Sequence, residues 1–194
     1  MWNDLFNKIA PVYGMFFRFQ VRNFRKVMDT AVTQINITEH TSFLDVGCGT
    51  GALPFVLSER GYQTTGIDAA PRMIKLAKDY NAGNKASFAV GDVLNKLIFD
   101  NQSYDIVIAS YVAHGMNEKD RKQLYAEARR LARKTIIFHD YNKKRSLGSD
   151  LIEWLEGGDY FNFIKIAESE LKGYFGNVQV IPIGKKSAWY VVEL

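Results

Sequence analysis

The chain has 194 residues, 47% of them hydrophobic, which is enough for one domain with a substantial core and too few for two ordinary ones. Its formal charge of +4 and pI near 9.0 arise from 25 Lys and Arg against 21 acids. The basic residues are scattered apart from Arg129-Arg130, Arg133-Lys134 and Lys143-Lys144-Arg145, so solvated faces are expected and a nucleic-acid partner is not. The one cysteine, Cys48, excludes an internal disulfide and a multi-cysteine zinc site. With no leader pattern and no apolar run long enough for a bilayer, a cytoplasmic protein without a transmembrane segment is expected.

Residues 1 to 40 are rich in large apolar groups: Trp2, Phe6, Ile9, Tyr13, Phe16, Phe17, Phe19, Phe24, Val27 and Met28. The spacing predicts an N-terminal helical cap, either packed as core across a sheet edge or laid over a ligand face. A strand is then predicted from Phe43 to Gly47, running directly into Cys48-Gly49-Thr50-Gly51 and a helix over Ala52 to Glu59. Glycines at 47, 49 and 51 remove side chains where a backbone must turn sharply and where a ligand must sit against the main chain. The following helix presents unpaired amides and a positive dipole end. A nucleotide-type ligand follows, with a plain tight turn as the alternative. No lysine succeeds Gly51, which excludes a triphosphate loop, and the G-x-G-x-G spacing differs from the G-x-G-x-x-G of dinucleotide sites.

Apolar and amphipathic runs then alternate, the pattern of a parallel sheet with crossover helices. Strands are expected at Gln63 to Ile67, Ala86 to Val90, Tyr104 to Ser110 and Thr135 to His139. Helices are expected near Pro71 to Tyr80, with Pro71 suited to a first turn, and Glu118 to Arg133. Gly148 to Tyr174 reads as helical segments interrupted by Gly157-Gly158. Asn177 to Pro182 and Ala188 to Glu193 read as two strands whose short connection, Gly184-Lys185-Lys186-Ser187, permits an antiparallel hairpin. The fold class is therefore α/β, a doubly wound, mostly parallel seven-stranded sheet with a C-terminal antiparallel hairpin. One domain over residues 1–194 is expected, with the cap at 1–40, the core at 41–194 and a helical segment at about 148–174.

The run Leu44-Asp45-Val46-Gly47-Cys48-Gly49-Thr50-Gly51 resembles motif I of the class I S-adenosylmethionine-dependent methyltransferases, and the element order from about residue 40 to 194 is similar to their sheet. Phe6-Asn7-Lys8-Ile9-Ala10-Pro11-Val12-Tyr13 resembles the F-x-x-I-A-P-x-Y opening of the ubiquinone and menaquinone C-methyltransferase branch, which usually continues with Asp where this chain has Gly14. The resemblance implies S-adenosyl-L-methionine as cofactor. It implies that Asp45 helps hold the amino group, that Gly47, Cys48, Gly49 and Gly51 form the loop, and that Asp68, with Ala69 beside it, holds the ribose. It further places Met73, Asp92 and Val93 at the adenine and Ala109 and Ser110 at the methionine portion. Alternatives stand beside these roles. Asp45 also fits a structural bond to loop amides, Asp68 a cap for the helix at Pro71, Met73 plain core packing, and Gly91-Asp92 an ordinary turn.

Methyl transfer from a sulfonium needs an in-line nucleophile and a dry pocket, and a base helps where the acceptor starts as a hydroxyl or an acidic carbon. His114 and Tyr13 are the catalytic candidates. Tyr111 and Tyr141 are further pocket candidates, and His139 beside Asp140 invites a dyad, although adjacent residues of a strand point in different directions. A structural hydrogen bond is the alternative for either histidine. No H-x-x-x-H or dense carboxylate cluster supports a metal. The end of the fourth strand lacks the Asn/Asp-Pro-Pro-Tyr segment of amino-methylating DNA enzymes. The expected function is O- or C-methylation of a small, partly apolar acceptor; the alternative is a catalytically inactive S-adenosylmethionine-binding regulatory or partner subunit. Oligomeric state is not legible.

Overall fold

A computed structural model describes residues 2–35, 37, 41–142, 160–184 and 186–194. The expected Gly157-Gly158 break, the part of the 148–174 segment before Tyr160 and the Lys143-Lys144-Arg145 cluster lie outside the described residues. Two compact units divide the chain, residues 1–97 and 98–194.

In the first unit, helices α1 (Trp2–Met15) and α2 (Phe17–Ala31) precede β1 (Ser42–Val46), α3 (Ala52–Glu59), β2 (Gln63–Asp68), α4 (Pro71–Tyr80) and β3 (Ser87–Val90). The strands are parallel in the order β3-β2-β1, with Leu44 opposite Thr65 and Ile67 opposite Ala89. Phe43, Leu44 and Val46 are all buried, as a strand covered on both faces requires. The expected helical cap is present. Helix α1 packs on α4 and α2 on α3. Two side chains pin them there: Asn7 Oδ1 accepts from the Arg72 amide in the first turn of α4 (3.1 Å), and Gln20 Oε1 accepts from Thr50 Oγ1 in the glycine loop (2.9 Å). Phe17 stacks on Tyr80 and meets Phe55 edge-on.

The second unit holds β4 (Tyr104–Ser110), α5 (Glu118–Leu131), β5 (Ala132–Tyr141), α6 (Tyr160–Phe175), β6 (Gln179–Pro182) and β7 (Ser187–Glu193), in the strand order β4-β5-β7-β6. Strands β4 and β5 are parallel; β7 runs antiparallel to both β5 and β6. The fold class is the expected one, seven strands, mostly parallel, closing on an antiparallel hairpin. Asn117 caps α5 by accepting from the Asp120 amide (3.0 Å), and Arg129 and Arg130 occupy its last turn, matching the helix dipole at both ends.

Boundaries moved where partners outside the local sequence decide them. Helix α5 stops at Leu131, two residues before the expected Arg133, and β5 begins at once. Arg133 and Lys134 both reach Asp105 Oδ1 at 3.0 Å, which holds their stretch extended beside β4. Strand β5 continues two residues past His139 because Asp140 and Tyr141 pair with Ala188 and Ser187 of β7.

Candidate active site

In doubly wound sheets, ligands bind beyond the carboxyl ends of the strands. At the end of β1, Gly47 and Cys48 both donate their amides to Ile67 O of β2 (2.8 and 2.9 Å), and Gly51 donates to Cys48 O (2.9 Å). Gly47, Gly49 and Gly51 all have left-handed φ, at 73°, 53° and 77°. Gly49 and Gly51 nonetheless differ in purpose. A Cβ on Gly49 would meet nothing within 4 Å, so its face is open, as a close-approaching ligand requires. A Cβ on Gly51 would strike Phe88 and Asn81 Nδ2 at 2.9 Å, so this glycine serves the unit's own packing. Cys48 is buried, and burial, then Asp45 and Asp68, pushes its thiol up, leaving a poor nucleophile.

Asp45 is buried in the middle of β1's apolar run, and its Oδ1 has no hydrogen-bond partner among the described residues. Burial, followed by the charge of Asp68, raises its carboxyl well above the usual range. Asp68, the last residue of β2, accepts from the Gly49 amide through Oδ2 (2.9 Å) and from the Ala70 amide through Oδ1 (2.8 Å). The capping alternative is therefore realised, on Ala70, while the same carboxylate ties down the glycine loop. Each oxygen has a second acceptor site, and the residue is only half-buried. Burial raises its pKa, and the two amide bonds oppose that rise. Ala69 is half-buried beside it.

Asp92 closes a turn after β3, accepting from the Leu94 amide (3.0 Å), and Val93 is buried. Met73 packs with Ala10 and Ala70, bordered by Tyr13 and Leu76; α1 thus brings Tyr13 to the helix that follows Asp68.

In the second unit, Ala109 and Ser110 end β4; Ala109 is buried, and the buried Ser110 Oγ has no hydrogen-bond partner among the described residues. Tyr111 follows with φ 57°, an uncommon conformation for a residue with a side chain, and its amide donates to His139 O (2.8 Å). His114 lies in a 3-10 turn (Ala113–Gly115), buried. Its partner is Asp140, whose Oδ1 is 2.7 Å from Nδ1 and whose Oδ2 accepts the His114 amide at 3.2 Å. The Tyr141 amide also donates to Asp140 Oδ1 (2.8 Å). Because a carboxylate only accepts, Nδ1 carries the hydrogen and Nε2 is the basic nitrogen of the neutral ring. The dyad is thus Asp140 with His114 and not with its sequence neighbour His139, which burial holds down at about 4. Tyr111 and Tyr141 flank the pair, Tyr141 lying 4.9 Å from the His114 ring and 5.1 Å from Tyr111.

Sequence reasoning weighed Asp140 only beside His139, not as the partner of His114, and gave Asn7 no role. The His114 partnership was legible only through the parallel pairing of β4 and β5, which sets Ser110 opposite His139 and so brings residue 140 to the turn after β4. Asn7 stands inside the N-terminal motif, and its capping of α4 had no local signal. Among the described residues, no group of three or more His, Cys, Asp or Glu is arranged to hold a metal ion. No described helix is long and apolar enough to cross a membrane.

Residues 43–135 match the family described as "Methyltransferase domain". The 2-heptyl-1-hydroxyquinolin-4(1H)-one methyltransferase of Mycobacteroides abscessus is 39% identical over 80 residues, 40% of this chain and 35% of the relative. A ubiquinone biosynthesis O-methyltransferase of Pelagibacter ubique is 21% identical over 193 residues, covering 96% of this chain and 78% of the relative. A crystal structure of a protein assigned as an S-adenosyl-L-methionine-dependent methyltransferase from Methanococcus maripaludis superposes with a TM-score of 0.73 at 16% identity, covering 96% of this chain and 92% of that one. The chain spans 35%, 39% and 34% of the length of three curated relatives that it matches at 30% identity or above. With its glycine loop and strand order, the chain has the fold of an S-adenosyl-L-methionine-dependent methyltransferase, and residues 43–135 are similar to a methyltransferase domain.

Proposed function

We propose that this protein transfers the methyl group of S-adenosylmethionine to an oxygen or carbon of a small, partly apolar acceptor. The observation that carries the reading is Asp45: a buried carboxylate whose Oδ1 lacks a partner, repelled by Asp68, beside a glycine turn with an open face at Gly49. Such an oxygen calls for a positively charged donor. The α-ammonium of the cofactor's methionine half meets that need, so the residues fit this cofactor.

In this reading Gly47, Cys48 and Gly49 receive the cofactor's main body, Gly51 holds the turn behind them against Phe88 and Asn81, and the second lone pairs of Asp68 accept from the ribose hydroxyls. Ala69, Met73, Asp92 and Val93 border the adenine, and Ala109 and Ser110 the methionine end. Bound, the cofactor supplies a methyl group already activated by its sulfonium. The protein then has to orient the acceptor, exclude water and receive a proton. His114 Nε2, its ring held by Asp140, is the base that takes a proton from an acceptor hydroxyl, and Tyr13 lines the acceptor side. Relatives named for a hydroxyquinolinone and for ubiquinone biosynthesis support a small acceptor methylated at oxygen over a nucleic acid. We take the chain as one cytoplasmic domain.

Thermal melting with S-adenosylhomocysteine tests the cofactor assignment. At a hundred times its dissociation constant a ligand stabilises by about 2.7 kcal/mol, on the order of 5–10 °C for a chain of this size. A shift with NADH and none with S-adenosylhomocysteine overturns the reading. Label transfer from methyl-labelled cofactor to a panel of phenols, carboxylic acids and hydroxyquinolines then separates an enzyme from an inactive binder.

A further inference from the structure

The cap formed by α1 and α2 is apolar on two sides. Val21, Met28 and Ala31 form the buried one. On the other side Val12, Met15, Phe16 and Phe19 recur at i, i+3, i+4 and i+7, and they are 55%, 82%, 54% and 59% exposed. The spacing survives the junction of α1 and α2, because the Phe16 amide donates to Tyr13 O (3.1 Å) and the Gln20 amide to Phe16 O (2.9 Å). Single exposed apolar residues are ordinary, but four at helical spacing form a patch that core packing does not explain.

The charge around this patch has one sign. Arg18, Arg22 and Lys26 are exposed along the same stretch, and no acidic residue occurs between Asp4 and Asp29. The nearby acids are committed elsewhere: Glu59 takes Arg25 in a two-pronged pair, and Asp29 takes Arg60. Arg18, Arg22 and Lys26 form no ion pair among the described residues.

We propose that this face of the cap docks on an anionic bilayer surface, with Val12, Met15, Phe16 and Phe19 entering the headgroup boundary and Arg18, Arg22 and Lys26 at the phosphates. The charge selects the occupant. A second copy of the chain would bring the same cations to a two-fold contact and be repelled, whereas a bilayer offers an apolar layer and negative phosphates at the same depth. The surface stands on α1 and α2 alone and does not depend on the reaction assigned above.

Co-sedimentation of the full chain with vesicles of phosphatidylcholine alone, or with one-quarter phosphatidylglycerol, tests it. Binding to the anionic vesicles is expected to be roughly tenfold stronger or more, given about 1 kcal/mol per basic residue near the surface, and to weaken in high salt. Phe16→Ser/Phe19→Ser and, separately, Arg18→Gln/Arg22→Gln are each expected to lose roughly tenfold, with wild-type melting because the side chains are exposed. Equal binding to both vesicle types, or wild-type binding by the arginine variant, overturns the proposal. So does light scattering that finds a wild-type dimer converted to a monomer by Phe16→Ser/Phe19→Ser, since the patch is then a subunit contact.

Discussion

A buried carboxylate with an idle oxygen costs the free protein stability, and Asp45 is that residue. Its pKa is raised, so between about pH 4, the unfolded value, and that higher value the folded chain retains a proton that the unfolded chain has lost. Stability contributed by the group is therefore lost as pH rises through this window. Asp45→Asn is expected to raise the melting temperature of the free protein at pH 7 and flatten this slope, while weakening S-adenosylhomocysteine at least tenfold, the loss of one charged hydrogen bond of roughly 1.5–3 kcal/mol. Calorimetry with and without ligand reads both effects; a lower melting temperature with unchanged affinity removes Asp45 from the ligand. For the pair at 2.7 Å, Asp140→Asn is expected to lower the methylation rate by about 10²-fold or more and to move the acid limb of its pH profile, because the amide neither fixes the Nδ1–H tautomer nor stabilises the protonated ring. Cofactor affinity stays unchanged. His114→Gln should match it, and the double variant should add little. An unaltered pH profile would mark the pair as structural.

Between elements, one polar link dominates the second unit. Arg121 of α5 is fully buried and donates through Nε and Nη2 to both oxygens of Glu170 in α6, each at 2.7 Å, and through Nη1 to Met116 O at 2.7 Å. Tyr125 Oη adds a bond to Glu170 at 2.8 Å, and the Arg121 guanidinium lies over the Phe163 ring. Removing one member of such a pair leaves the other buried without its counter-charge. Glu170→Gln is expected to cost about 3–5 kcal/mol, read from urea midpoints, and Arg121→Met/Glu170→Leu to recover most of it. The α5 period is plain in the sequence, with Leu124, Tyr125, Ala128 and Leu131 on one face. A charged residue on that same face, Arg121, announces that a partner exists, but nothing local says that the partner lies 49 positions later.

For the molecule as a whole, two buried groups pull acid stability in opposite directions. Asp45 penalises the folded state as pH rises, while His139, held down at about 4 by burial, penalises it as pH falls. Below its unfolded value near 6.5 the unfolded chain binds a proton that folded His139 refuses, so stability is lost from about pH 6.5 down to about 4, on the order of 3 kcal/mol. Urea unfolding of His139→Gln is expected to show a flatter profile over that range than the parent chain; an identical slope assigns the acid loss to other groups.

The glycine loop, the strand and helix order and the acids after each strand were legible because their determinants are local. They are backbone conformations that favour glycine, hydrophobic periods of two or 3.6, and short spacings along the chain. Tertiary structure alone decided that Gly51 serves packing while Gly49 is open, that Asp68 ties down the loop it follows, and that Asp140 answers His114 instead of neighbouring His139. Each of these rests on contacts between residues far apart in sequence, which strand register and burial create and which no local pattern encodes.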